Sequence, residues 1–146
     1  MCTAEEGYVP SRDSADTIFA LSSGAGRAGV SVIRVSGPQA GTALLELAPI
    51  ATGTLPAPRR AVLRSLVWPK SAREAIGSQA TGTIDQSLVL WFPGPRSFTG
   101  EDVVEFHTHG SRAVVTAVLE ALGSLRGLRL AEAGEVRRGE ARQGEA

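Results

Sequence analysis

The sequence predicts an α+β domain: a mixed β-sheet carrying two main helices. Short β-branched or alternating runs recur at Thr17–Ser22, Val30–Ser36, Ala61–Trp68, Ser87–Phe92, Glu101–His109 and Leu128–Ala131, separated by Gly, Pro and Ser. Two segments, after Gly37-Pro38 and after Ser111, switch to helical periodicity. The 146 residues, 42% of them hydrophobic, are enough for one domain with a real core. The predicted order is ββαβββαβ, with no internal repeat.

TIFALS at Thr17–Ser22 reads as a short strand, and Gly24–Gly29 (GAGRAG) as the loop after it. VSVIRVS at Val30–Ser36 is β-branched and alternating. Val30, Val32 and Arg34 share one face of it, Ser31, Ile33 and Val35 the other. An arginine in line with valines is costly unless a carboxylate or a ligand meets it. Gly37-Pro38 then starts a helix, with proline at its favoured first position and Ala40, Ala43, Leu44 and Leu47 as the apolar stripe. Pro49 and the TGTLPAP segment end it. Ala61–Trp68 is a strand stopped by Pro69, and Lys70–Thr83, rich in Ser, Gly, Ala and Thr, reads as an exposed loop. SLVLWF at Ser87–Phe92 is nearly continuous in apolar residues, as expected of a central strand.

The stretch Trp91–Gly110, WFPGPRSFTGEDVVEFHTHG, is the focus of the chain. Pro93-Gly94-Pro95 and Phe98-Thr99-Gly100 are turn signals. Glu101–His109 then alternates, with Glu101, Val103, Glu105, His107 and His109 on one face and Asp102, Val104, Phe106 and Thr108 on the other. That first face is too polar for an ordinary core strand. With Gly110-Ser111 opening a helix beside it, a small-molecule site is expected there. Ser111 is a good N-cap. Val114, Val118, Ala121, Leu122 and Leu125 form the apolar face of that helix, opposite Arg112, Thr116 and Glu120. Leu128–Ala131 is a last short strand. Residues 1–15 read as a flexible tail, 16–135 as the domain, and 136–146 as a polar segment with almost nothing to bury.

Lys+Arg and Asp+Glu balance at 15 each, so nothing argues for nucleic-acid binding by this chain alone. The single cysteine, Cys2, allows neither an intrachain disulfide nor a cysteine-based zinc site, which favours a reducing compartment. No apolar run approaches the ~20 residues of a bilayer span. The amino terminus carries Glu5, Glu6, Asp13 and Asp16 against Arg12, unlike a secretory signal or a mitochondrial presequence.

GAGRAG matches GxGxxG, but a dinucleotide fingerprint needs a helix after the glycines and here a strand follows. The glycines are better placed in a hairpin loop. A nucleotide P-loop would need a lysine where Val30 stands, so no GTP site is assigned. Glu105, His107 and His109 could ligate a metal, the basis of a small metal-dependent hydrolase reading. The plainer reading is hydrogen-bonded histidines at the lip of a pocket. Glu101 and Asp102 point to opposite faces and read as solvated turn carboxylates. No Ser or Cys nucleophile motif occurs, and no catalytic residue is assigned. Arg34 and Glu105, charged residues on strands otherwise carrying valines, are either a structural salt bridge or the polar grip on a ligand. A carboxylate can accept two parallel hydrogen bonds from an amino-pyrimidinone edge, and a guanidinium can hold a carboxylate or carbonyl.

DTIFALSSGAGRAGVSVIRVSGP, then DQSLVLWFPGPRSFTGEDVVEFHTHG and GLRLAEAGE, closely resemble the amino-terminal domain of the MnmE/TrmE family of tRNA-modification GTPases, most of all its vertebrate mitochondrial members. The resemblance runs from about Asp16 to Glu135. It implies a tetrahydrofolate-binding fold of the TrmE N-terminal type, holding 5-formyl- or 5,10-methylene-tetrahydrofolate and forming a homodimer. It also implies, through the full-length protein, an FAD-dependent partner, tRNA modified at the wobble uridine, and a mitochondrial location; without it the expectation is cytoplasmic. The arginine of the family's R-[IVT]-S-G-P element matches Arg34, and the last glutamate of its T-G-E-D-x-[VL]-E element matches Glu105, both folate-contacting positions. The family's HGG reads His109-Gly110-Ser111 here. After Glu135, VRRGEARQGEA stands where the family has a phenylalanine-rich segment ending in a folate-contacting lysine, and the helical and GTPase domains of the family are expected to be missing. The expectation is a truncated product that is not catalytic alone: a folate-binding and dimerisation domain, or an interaction-only module that pairs with full-length protein without folate.

Overall fold

The computed structural model describes residues 16–22 and 29–132. Along them run β1 (Thr17–Leu21), β2 (Val30–Ser36), α1 (Ala40–Leu47), β3 (Val62–Val67), α2 (Lys70–Ile76), β4 (Thr83–Phe92), β5 (Val103–His109), α3 (Arg112–Gly123) and β6 (Leu128–Leu130). The strands form one six-stranded sheet in the order β3-β4-β5-β2-β1-β6. Neighbours are antiparallel except β1 and β6, which run parallel, so the sheet is mixed as expected. The glycine loop at 24–28 and the two terminal segments lie outside the described residues. Gly29 leads straight into β2, a strand rather than a helix.

Alternation decides what is buried. Ile33 and Val35 of β2, Val104 and Phe106 of β5, and Val89 and Trp91 of β4 point to one face. There they meet Ala40, Ala43, Leu44 and Leu47 of α1 and Val118, Ala121 and Leu122 of α3 in a single core. Ser111 caps α3, its side chain accepting the Val114 N–H. The opposite face is left largely open, with Val30, Leu63 and Leu88 exposed.

Four expectations are corrected. Lys70–Ile76, read as loop, is α2; Ala72 is fully buried and Ser71 Oγ lies 3.0 Å from Ser124 Oγ at the end of α3. The seven residues KSAREAI favour a helix, but the glycine-containing turns from Gly77 to Gly82 hide that preference within the segment Lys70–Thr83. Pro38 is not the first helical residue. It stands in a turn closed by Ala40 N–H to Gly37 O, and α1 begins at Ala40 behind Gln39. β4 is not a strand buried on both faces: Ser87, Val89 and Trp91 are buried while Leu88 is 44% exposed, because helices cover only one side. β5 begins at Val103, since Glu101 and Asp102 belong to the preceding turn.

Gly37, where β2 gives way to α1, has φ +138, and a Cβ there would lie 2.7 Å from Thr17 Cα and 2.8 Å from Asp16 O. Gly37→Ala should therefore destabilise the domain by at least about 2 kcal/mol. Gly53→Ala, at φ +67 with nothing within 4 Å, should cost about 1 kcal/mol. Urea denaturation of both variants checks the contrast; equal losses would show that the close approach to β1 is not what requires glycine.

Candidate functional site

The register of β2 against β5 sets Arg34 opposite Glu105, Val32 opposite His107 and Val30 opposite His109. With Ile33, Val35, Val104 and Phe106 turned to the helices, these side chains share the opposite, open face. Arg34 Nε donates to Glu105 Oε2 at 2.7 Å, and His107 Nε2 lies 2.9 Å from Glu105 Oε1. Both carboxylate oxygens thus have a partner. Their side chains remain reachable, at 24% exposure for Arg34 and 14% for Glu105.

A third element reaches the pair. The ring of Phe98, in the turn between β4 and β5, stands over the Arg34 guanidinium at 4.3 Å. That turn is laced by its own hydrogen bonds. Asp102 Oδ1 accepts from Gly94 N at 2.9 Å, Gly100 N donates to Ser97 Oγ at 2.9 Å, and Ser97 Oγ donates to Glu101 O. Gly94 packs so tightly that a Cβ would come within 2.6 Å of Gly100 O. The turn is pinned to the end of β2 by Ser36 Oγ to Thr99 Oγ1 at 2.6 Å and by Gly37 N to Asp102 O at 2.9 Å, among other contacts. Glu101 and Asp102 are accordingly not the freely solvated turn carboxylates expected. Both are half-buried, Glu101 Oε2 accepting from Ser36 Oγ at 3.4 Å and Asp102 organising the turn.

The Glu105, His107 and His109 set does not hold together. His109 Nδ1 is 2.7 Å from Asp85 Oδ1, and Asp85 Oδ2 accepts from the His109 N–H and from Ser87 Oγ. Among the described residues no group of three or more His, Cys, Asp or Glu is placed to hold a metal ion, so the hydrolase reading has no ligand set there.

The family model for the GTP-binding protein TrmE N-terminus matches residues 17–139. The chain belongs to the TrmE N-terminal family. It is 54% identical over 138 residues to the mitochondrial 5-taurinomethyluridine-[tRNA] synthase subunit GTPB3 of Homo sapiens, covering 94% of this chain and 26% of that protein. It is 55% identical to the Danio rerio subunit of the same name over 84% of this chain and 22% of the relative. It is also 55% identical to the tRNA modification GTPase MnmE of Rhodospirillum rubrum, over 84% of this chain and 27% of the relative. The chain thus spans about a quarter of the length of these curated relatives.

Within this TrmE N-terminal domain, burial alone would raise the Glu105 pKa. Hydrogen bonds from His107 and Arg34, and their charges, outweigh it and hold the carboxyl below its ordinary value. Asp85 follows the same pattern: burial raises it, and the hydrogen bonds from the His109 N–H, Ser87 and the His109 ring, with the His109 charge, bring it below the usual range. Phe98 and Asp85 were not singled out from the sequence. A turn aromatic carries no mark of the strand it will cover, and Asp85 precedes the apolar run used to place β4.

A folded-state pKa below the unfolded one stabilises the fold above the unfolded value, about 4.3 for glutamate, and that contribution is lost as pH falls through the folded value. Glu105→Gln should therefore lose stability less steeply than wild type between about pH 5 and pH 3. Urea midpoints across that range test this, and parallel profiles would contradict the assignment.

Proposed function

We propose that this TrmE N-terminal domain binds a reduced folate, 5-formyl- or 5,10-methylene-tetrahydrofolate, on the open face of the sheet through Glu105 and Arg34. The observation that carries the reading is the paired register that brings a carboxylate and a guanidinium, both still partly exposed, together on that face. The donor set fits. Each carboxylate oxygen offers two acceptor positions, so with one donor from Arg34 and one from His107, two positions remain for the amino-pyrimidinone edge of a pterin. The Arg34–Glu105 bond is made through Nε, which leaves the Nη donors of the guanidinium for a carbonyl or carboxylate of the ligand. A bound folate supplies a one-carbon unit. The residues of this chain bind and orient it.

A second part of the reading is self-association as a homodimer. Leu63 and Leu88 are direct cross-strand partners, 61% and 44% exposed, and Val30 lies on the same face. The adjacent Leu63 and Leu88, with Val30 beyond the histidines of β5, are exposed apolar side chains on an uncovered sheet face, which favours burial against a second copy. In a longer protein of the relatives' kind, the same domain would serve wobble-uridine modification of tRNA with an FAD-dependent partner. The names of the vertebrate relatives support a mitochondrial location. Among the described residues no helix is long and apolar enough to cross a membrane. The interaction-only alternative draws on one observation: the Arg34–Glu105 pair is already closed, so a module that only dimerises would look the same.

Calorimetry with 5-formyltetrahydrofolate decides between them. Glu105→Gln keeps the side chain's shape but sets an amide donor against the ligand's donors. It should weaken binding at least about tenfold, the loss of one charge-assisted hydrogen bond. Equal binding by wild type and Glu105→Gln would overturn the site, and a wild-type protein that binds none would leave the interaction-only reading. Leu88→Glu should shift the protein toward monomer in analytical ultracentrifugation; an unchanged distribution would place the self-association surface elsewhere.

A further inference from the structure

We infer that Phe98 is a positioning residue for Arg34, clamping the guanidinium so that a ligand can take up Glu105 without Arg34 swinging out of the site. The inference rests on the folate reading of Arg34 and Glu105, and deepens it. Three observations carry it. The ring stands over the guanidinium at 4.3 Å, a cation–π distance. Phe98 is itself 36% exposed, so it is not a core side chain seeking burial. The turn that presents it is held by Asp102, Ser97 and Gly94 and pinned to β2 by Thr99 on Ser36, two residues from Arg34 along the same face. The frame therefore does not depend on the ring, and the ring's effect is separable from the fold.

The chemistry explains the need. Arg34 is fixed at Nε by Glu105, while the open face offers it solvent and many rotamers. A ligand whose donors fill the two remaining acceptor positions of Glu105 draws on the same negative charge and so weakens that bond. Once it weakens, a guanidinium held only by Glu105 would turn toward water and its Nη donors would be lost to the ligand. A ring across one face of the guanidinium supplies a second, independent restraint. It keeps the guanidinium plane, and hence the Nη direction, while excluding water from that side. Sequence reasoning could not reach this, because the pairing joins a turn to a strand that lies 64 positions earlier (98 − 34 = 64).

The test reads the clamp and the binding separately, on the whole chain. In heteronuclear NMR of the ligand-free protein, the Arg34 Nε–Hε signal should be shifted by the ring current and slow to exchange. Phe98→Leu should move it toward the position of an exposed arginine and speed its exchange, and Phe98→Tyr should restore it. In calorimetry, Phe98→Leu should weaken 5-formyltetrahydrofolate binding roughly three- to tenfold, with Phe98→Tyr close to wild type. In an Arg34→Gln background, Phe98→Leu should have no further effect. A purely structural role would lower affinity in both backgrounds and leave the Arg34 signal where it was. That result, or a signal unmoved by Phe98→Leu, would overturn the inference. A wild-type protein that binds no folate would fail the ligand reading instead, recognisable because the NMR arm would still show the ring on the guanidinium.

Discussion

β2 and β5 lie side by side near the middle of the sheet, and their register sets both of its faces at once. On the helix side it stacks Ile33 on Phe106 and Val35 on Val104, all fully buried. On the other side the same register brings Arg34 to Glu105 and Val32 to His107. A slip of β5 by one residue would expose Phe106 and bury Glu105 away from Arg34. The desolvation of an unpaired charge and the loss of a core phenylalanine each cost several kcal/mol by themselves. The hydrophobic core therefore holds the polar pair in place, and no separate device is required to find the correct pairing.

Around that pair the electrostatics follow from how much of it water still reaches. Burial by itself disfavours the Glu105 carboxylate, and two donors reverse the balance, so the group stays ionised with an acceptor position left on each oxygen. A closed structural salt bridge and a pre-ordered ligand site have the same geometry at this point. What favours a site is the surroundings: an open face, a guanidinium whose hydrogen bond among the described residues is made through Nε, and an aromatic residue held over it by a turn that has its own hydrogen bonds.

The domain belongs to a family whose relatives are three to four times longer, and its described residues contain a six-stranded sheet with helices on one side. The open side then has two demands on it. Leu63, Leu88 and Val30 call for cover, while Arg34, Glu105 and His107 call for a polar partner. In the proposed reading a second copy meets the first demand and a folate the second.

The sequence by itself located the six strands, though not the first four residues of β4, the two main helices, the capping Ser111 and the face on which each β5 residue lies, because alternation and helical periodicity are local properties of the chain. It also isolated Arg34 and Glu105, since a charge in line with valines is visible without a fold. Other features were decided only in three dimensions. The seven residues of α2 are too few to hold a helix alone and form one where Ala72 can be buried. Leu88 is exposed because no helix covers its side of β4, which the apolar run SLVLWF cannot reveal. His109 left the Glu105–His107 group for Asp85, and Phe98 came to rest on Arg34. Each of these depends on a contact between segments far apart in the chain, and such contacts exist only once the sheet has set its register.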